Sequence, residues 1–186
     1  VDLALDGLAF DEERMPFISG DGFYTTADYA ALNTPLDDEA AAVAWIARLE
    51  ALPAYYARET ENMRRGIRTG MTQPTRTVER AITDVRNQLN QADDKSPLLA
   101  PFRNVPQSFP ADRRTELEAQ ARDVLHTKVR PAQQSLLQFL EHDYLPAALR
   151  PESVHDLDTL LGEDTDWTNQ KAMYDPAASI GDSDRA

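Results

Sequence analysis

The sequence contains no cysteine, which excludes disulfide bonds, thiolate zinc sites and a cysteine nucleophile. Because proteins without cysteine occur in both reducing and oxidising compartments, this absence leaves periplasm and cytoplasm equally open. Only seven glycines occur, and none belongs to a glycine-rich phosphate loop. The serines also lack the glycine-flanked elbow that exposes a nucleophile. The sequence therefore supports neither nucleotide chemistry nor nucleophilic catalysis.

Basic residues are scarce relative to acidic ones. The chain has 19 Lys and Arg against 32 Asp and Glu, which gives a formal net charge of -13. Because phosphate binding needs concentrated Lys and Arg, this balance excludes nucleic acid and disfavours an anionic membrane surface. Long apolar runs are missing too, and residues 1–6 lack an initiator Met and a basic segment. We therefore expect no membrane span and no signal peptide, as in a mature or trimmed chain.

The composition is typical of folded proteins, with 41% hydrophobic and 27% charged residues. A first stretch of apolar residues at three- and four-residue steps follows an acidic turn at Asp37 and ends before Gly70, a natural helix C-cap. Pro53 inside this stretch predicts either one kinked helix or a broken pair. The periodic apolar residues are Trp45, Leu49, Leu52, Tyr56, Met63 and Ile67.

Two further stretches have the same periodicity. The second predicted helix carries the apolar stripe Val78, Ile82, Val85 and Leu89. The third runs from about Asp112 to Tyr144, with a kink predicted near Pro131. Between them, residues 97–110 hold four prolines among apolar side chains, which favours an ordered loop packed on helices.

These patterns predict an all-α fold, a bundle of long kinked helices with a loop-rich N-terminus and a proline-rich connecting segment. We expect three or four main helices, packed antiparallel or as kinked hairpins. The predicted organisation is a loop-rich entry at 1–36, a helical core at 37–150 and an acidic, irregular tail at 151–186.

Neither a catalytic residue nor a metal ligand is predicted. None of the three histidines, His126, His142 and His155, is followed by the Glu or has the second His one helical turn away that a zinc motif needs. Acidic residues 156–166 resemble part of a calcium loop, but Asn169 stands where that loop needs glycine and its terminal Glu is missing. We interpret this segment as a solvated acidic tail.

Four residues are candidates for substrate binding: Tyr56, Arg64, Arg65 and Arg68. The arginines cluster near a predicted helix C-terminus, where the exposed carbonyl dipoles favour cations for structural reasons alone. In the functional alternative they clamp a substrate carboxylate or an acidic patch of a partner. Tyr56 is most simply a core aromatic residue at helical spacing.

Several short strings, taken together and in order, resemble the bacterial family called domain of unknown function 885. The longer strings are Arg-Leu-Glu-Ala-Leu-Pro at 48–53, Gly-Ile-Arg-Thr-Gly-Met-Thr-Gln-Pro at 66–74, Val-Arg-Pro-Ala at 129–132 and Tyr-Leu-Pro-Ala-Ala at 144–148. Shorter ones are Pro-Phe at 16–17, Gly-Phe at 22–23, Ser-Pro-Leu at 96–98, Pro-Phe at 101–102 and Phe-Leu at 139–140. The resemblance spans roughly residues 8 to 150, and the chain departs from the family pattern after Arg150.

The resemblance implies a large, mostly helical protein similar to zinc metallopeptidases, with a His-Glu-x-x-Pro-Gly-His type motif beyond the region seen here. That motif is absent from this chain. The implied role is an N-terminal helical half that walls a substrate cleft, with no cofactor in this chain and zinc in a full-length relative. The resemblance also implies a periplasmic or lipid-anchored location, while composition leaves the cytoplasm open.

Two functional hypotheses follow. In the first, the chain is the helical scaffold of a metallopeptidase-like protein, and its partners are the catalytic half and a peptide substrate. In the second, it is a stand-alone interaction module that binds another protein through grooves between its helices or through its tail. In both cases we expect no catalytic activity from this chain alone.

Overall fold

A computed structural model describes residues 11–106 and 109–150 of the chain. His155, the acidic segment 156–166 and the predicted tail 151–186 lie outside these described residues. Within them, five α-helices are joined by 3-10 and π turns, and a single two-stranded sheet is present. This architecture confirms the all-α fold, whereas the division of the chain into three segments stays a prediction.

The described chain begins with a 3-10 turn at Glu12–Arg14, followed by a small hairpin. Strands β1 (Phe17–Ile18) and β2 (Asp21–Gly22) pair antiparallel, and the connecting Gly20 adopts a φ of 80°. This left-handed conformation favours glycine because it has no Cβ.

Helix α1 (Phe23–Leu32) starts directly after β2 and lies within the segment 1–36, for which the sequence pattern indicates loops. Its first turn is fixed by the Thr25 hydroxyl, which accepts from the Gly22 N–H at 3.2 Å, and by the Asp21 carboxylate, which accepts from the same N–H at 2.7 Å. Phe23, Tyr24 and Ala31 are buried. The segment predicted to be loop-rich thus contains a helix at Phe23–Leu32 that the sequence pattern does not indicate.

Helix α2 (Glu39–Thr69) is the longest element, with 31 residues. The Asp38 carboxylate caps its N-terminus by accepting from the Ala41 N–H at 2.8 Å, and Gly70 ends it with a φ of 70°. The helix runs through Pro53 without a break. Of the two alternatives left open by the sequence, the single long helix is therefore confirmed.

The second half of the chain supplies the remaining helices. Helix α3 (Thr75–Asn90) is followed by short 3-10 turns, the second of which spans Pro97–Asn104. The final helical run consists of α4 (Ala111–Val124), a π turn (Leu125–Val129), α5 (Arg130–Phe139), a second π turn (Leu140–Tyr144) and a 3-10 turn (Leu145–Ala147).

A single residue separates each π turn from the proline that follows it. The N–H of Arg130, which precedes Pro131, donates to the Leu125 carbonyl, and the N–H of Leu145, which precedes Pro146, donates to the Leu140 carbonyl. A proline inside a helix lacks an N–H and its ring collides with the carbonyl four residues earlier. Both π turns therefore lie where a proline disturbs the regular helix. The distortion predicted near Pro131 thus takes the form of a π turn.

Among residues 11–106 and 109–150, the buried hydrophobic residues form two clusters, and α2 contributes to both. Its N-terminal half packs Trp45 and Leu49 against α4 and the proline-rich segment, where the Trp45 Nε1–H donates to the Leu98 carbonyl at 2.9 Å. Its C-terminal half packs Tyr56 and Met63 against the hairpin, α3 and α5. The proline-rich segment is held by its buried side chains Leu98, Leu99, Phe102 and Phe109. Its predicted packing is thereby confirmed.

Gln73 joins three distant parts of the second cluster. Its N–H donates to the Tyr144 hydroxyl at 3.0 Å, its side-chain amide donates to the Phe17 carbonyl at 2.5 Å, and its carbonyl accepts from the Leu149 N–H at 3.1 Å. The strings at 16–17, 66–74 and 144–148 therefore meet at one junction, although they are far apart in the sequence.

We expect Tyr144→Phe to lower the free energy of unfolding by about 1–2 kcal/mol, because the Gln73 N–H loses its acceptor inside the protein. Tyr144 is fully buried, so water does not replace the hydroxyl. Urea unfolding of both proteins measures the difference. Tyr29→Phe is the matched control, since Tyr29 is 54% exposed. Equal effects of the two substitutions would contradict this role of Tyr144.

Candidate functional site

A groove of about 340 Å³ lies between α2 and α5. This volume is at the lower end of the range for small-molecule sites, roughly 300–1,000 Å³. The groove is lined from α2 by Pro53, Tyr56, Ala57, Thr60 and Arg64, and from α5 by Ala132, Ser135, Leu136 and Phe139. Two of the four predicted binding residues, Tyr56 and Arg64, are thus brought together in one groove.

Arg64 is the only charged residue among those that line the groove. Its guanidinium carbon lies 4.7 Å from the centre of the Phe139 ring, a distance typical of cation–π contact. Its Nη2 is 3.7 Å from an oxygen of Asp143, too far for a hydrogen bond, and both side chains are about half exposed. Such exposed pairs contribute little, typically below ~1 kcal/mol. The N–H donors of Arg64 form no hydrogen bond within the described residues.

Thr60 lies one helical turn before Arg64 on the same side of α2. In the other helices Thr83, Thr115 and Thr127 each donate their hydroxyl to the carbonyl four residues earlier. The Thr60 hydroxyl has no hydrogen-bond partner in the part of the chain that the structure describes, and Thr60 lines the groove. A guanidinium and a hydroxyl are therefore both available to a ligand at this end.

Tyr56 forms part of the groove wall, but its hydroxyl points into the protein. The residue is buried, and its ring lies 5.8 Å from that of Phe23 in an edge arrangement. Burial raises the pKa of Tyr56, the nearby Asp28 raises it further, and a hydrogen bond with Gln133 opposes the shift. The hydroxyl therefore stays protonated and anchors the ring.

Behind Tyr56, a chain of polar side chains connects α5, α3 and α1. The Gln133 amide donates to Gln88 at 3.3 Å, and the Gln88 amide donates to Asp28 at 2.9 Å. Burial raises the pKa of Asp28 to about 6, although the hydrogen bond from Gln88 partly offsets this. This internal network fixes the Tyr56 side of the groove.

Arg65 and Arg68 lie outside the groove. Arg65 donates to both carboxylate oxygens of Asp11, at 2.8 and 3.1 Å, and its pKa is raised mainly by this bond. It also donates to Asn62 at 3.1 Å. Arg68 donates to Glu61 at 3.1 Å. The partners of these two arginines are side chains and not the carbonyls at the helix end, and substrate binding by the four residues stays a prediction.

The comparison with known proteins gives one match. Residues 2–166 match the family model described as "Bacterial protein of unknown function (DUF885)". The chain belongs to the DUF885 family. No curated protein and no solved structure matches it. The match confirms the suspected family and extends past both ends of the strings that carry the resemblance, but its description assigns no activity to DUF885 proteins.

The surroundings of His126 in this DUF885 chain do not suit a zinc ion. The His126 Nε2–H donates to Asp93 at 2.9 Å, since Arg130 donates to the other ring nitrogen. Arg122 and Arg130 also donate to Asp93, which, with His126, holds the pKa of that carboxyl below its usual value. Two guanidinium groups here repel a cation. The described residues contain no group of three or more potential ligands arranged for a metal.

A second, smaller groove of about 160 Å³ lies between α1 and α2 of this DUF885 chain. Its lining is almost entirely apolar and includes Trp45, Leu52 and Tyr55. None of the described helices has the length and apolar character needed to cross a membrane.

Proposed function

We propose that this chain is the helical scaffold of a metallopeptidase-like DUF885 protein and that the groove between α2 and α5 holds its peptide substrate. The observation that carries the proposal is the composition of this groove, in which polar and apolar side chains surround Arg64, a cation that forms no hydrogen bond within the described residues. A periplasmic location, with the catalytic half as partner, belongs to the same proposal.

The groove has the chemistry of binding rather than of reaction. Its lining includes neither an imidazole nor a carboxylate, the groups that most often transfer protons in hydrolysis. Pro53, Ala57 and Ala132 offer apolar surface to a side chain, and the oxygen of Ser135 offers an acceptor to a peptide N–H. In this proposal, hydrolysis depends on residues outside this groove, and the chain alone binds peptide without cleaving it.

A protein-interaction module is the second candidate, and the apolar groove between α1 and α2 favours it. Trp45, Leu52 and Tyr55 line that groove with hardly any polar surface. An amphipathic helix of a partner is the kind of ligand that such a surface accepts.

The two candidates are distinguished by titrating the isotope-labelled chain with the N-acetylated tripeptide Ala-Leu-Phe and following amide shifts by NMR. We expect shifts along Ala57, Thr60 and Ser135. Ala57→Phe, which fills the groove from its exposed edge, should weaken binding about tenfold or more. Ala51→Phe is the matched control, because Ala51 is an exposed α2 residue that does not line the groove.

Absence of shifts at millimolar peptide would overturn peptide binding by this chain. Shifts confined to Trp45 and Tyr55 would instead favour the interaction module.

A further inference from the structure

We propose that the Arg64 end of the groove recognises the C-terminal carboxylate of the peptide, so that substrates are held by a free C-terminus with an apolar last side chain. This inference rests on the proposed peptide-binding function. It adds the direction in which the peptide lies and the group that is recognised.

Arg64 is prepared for a carboxylate in a way that the neighbouring arginines are not. Arg65 and Arg68 already donate to Asp11 and Glu61, whereas the Arg64 donors form no hydrogen bond within the described residues. The planar guanidinium matches the two oxygens of a carboxylate. Contact with the Phe139 ring restrains the side chain, so binding costs less conformational entropy than it would for a free arginine.

Thr60 supplies a second donor at the same end. Residues four apart on a helix are neighbours on its surface, and Thr60 and Arg64 both line the groove. One carboxylate can accept two N–H donors from the guanidinium and one O–H from Thr60. This arrangement suits a carboxylate better than a neutral amide, which would place its own NH₂ donors against these groups.

The rest of the groove favours a peptide over a simple fatty acid. Pro53, Ala57 and Ala132 offer apolar surface in the same groove, above the buried Leu136 and Phe139, and a C-terminal side chain can pack there. The Ser135 hydroxyl donates to the Pro131 carbonyl at 3.0 Å, which leaves its oxygen to accept from a peptide N–H. A hydrocarbon chain makes no use of this acceptor.

Asp143 repels a carboxylate bound at Arg64, so replacing Asp143 tests whether the ligand carboxylate binds there. Its carboxylate lies 3.7 Å from Arg64 and is 55% exposed, so it competes with a ligand carboxylate for the same cation. Removing its charge should strengthen the binding of an acid and leave an amide unaffected. Removing the charge of Arg64 should have the opposite effect on the acid.

The test measures dissociation constants for N-acetylated Ala-Leu-Phe as the free acid and as the C-terminal amide. We expect the acid to bind about tenfold more tightly to the natural chain. Arg64→Gln should abolish this preference, Thr60→Val should reduce it severalfold, and Asp143→Asn should increase it about threefold. Hexanoate, a carboxylate on an apolar chain without peptide bonds, should bind much more weakly than the acid peptide.

Equal binding of acid and amide would overturn carboxylate recognition while leaving the peptide groove in place. Failure of both peptides to bind would overturn the proposed function and this inference with it. Hexanoate binding as tightly as the peptide would assign the site to a fatty acid. A purely structural role of Arg64 would weaken acid and amide alike, so a preference unchanged in Arg64→Gln would also overturn the inference. Circular dichroism of each variant verifies that these substitutions, at the exposed Arg64 and Asp143 and the half-buried Thr60, leave the fold intact.

Discussion

Gly66→Ala will lower the free energy of unfolding by about 3 kcal/mol, because the added methyl group has no room. A Cβ at this position would lie 2.5 Å from the Met71 carbonyl oxygen and 2.8 Å from that of Arg14. Both atoms belong to the backbone, so no side-chain rotation relieves the contact. Alanine is favoured over glycine in a helix by about 1 kcal/mol, so without this contact the substitution would stabilise α2. Urea unfolding followed by circular dichroism measures the change.

Gly70→Ala is the matched control for Gly66→Ala. Gly70 has a φ of 70°, and nothing lies within 4 Å of the position of an added Cβ. Its replacement should therefore cost only the strain of the left-handed conformation, about 1 kcal/mol. Equal losses for the two variants would show that the contact of α2 with Arg14 and Met71 is not as close as described here.

The long helices were predictable because their signals are local. Asp38 and Gly70 bound α2 by capping chemistry that adjacent residues determine, and the stripe of α3 is a simple periodicity. Helix α1 was missed because its first turn lacks an acidic residue and its boundary depends on the preceding hairpin. The need for glycine at position 66 could not be predicted either, because it depends on how the chain returns at Met71 and on the distant Arg14.

The groove was predictable only in part, for a similar reason. The sequence alone does not distinguish the three neighbouring arginines, because nothing in it indicates that Arg65 pairs with Asp11. Only the fold shows that the Arg64 guanidinium, within the described residues, contacts Asp143 and Phe139 but forms no hydrogen bond. The Thr60–Arg64 spacing of one helical turn was available as a signal, but it becomes informative only when Phe139 of α5 is placed opposite.

Asp28→Asn will raise the free energy of unfolding at pH 7 by about 2 kcal/mol and change it little at pH 4. Burial raises the pKa of Asp28 from 3.8 to about 6. The folded chain therefore binds this proton more tightly than the unfolded chain, so the contribution of Asp28 to stability is lost as the pH rises from about 4 to about 6. The pKa difference corresponds to roughly 3 kcal/mol, and the remaining solvent contact reduces this to about 2.

The difference between the natural chain and Asp28→Asn, followed by urea unfolding from pH 4 to pH 7, isolates this one carboxyl. Asp93 acts in the opposite sense, because its lowered pKa means that its charged form stabilises the fold above its ordinary pKa. Both proteins contain Asp93, so its contribution cancels in the difference between their free energies of unfolding. Asp123→Asn is the control, since it removes one negative charge from an exposed position of the same acidic chain. A difference that stays constant with pH, or a destabilised Asp28→Asn at pH 7, would mean that Asp28 is held as a charged partner of Gln88. Growth of the difference across this range would instead show that the network behind Tyr56 keeps a carboxyl whose ionisation weakens the fold.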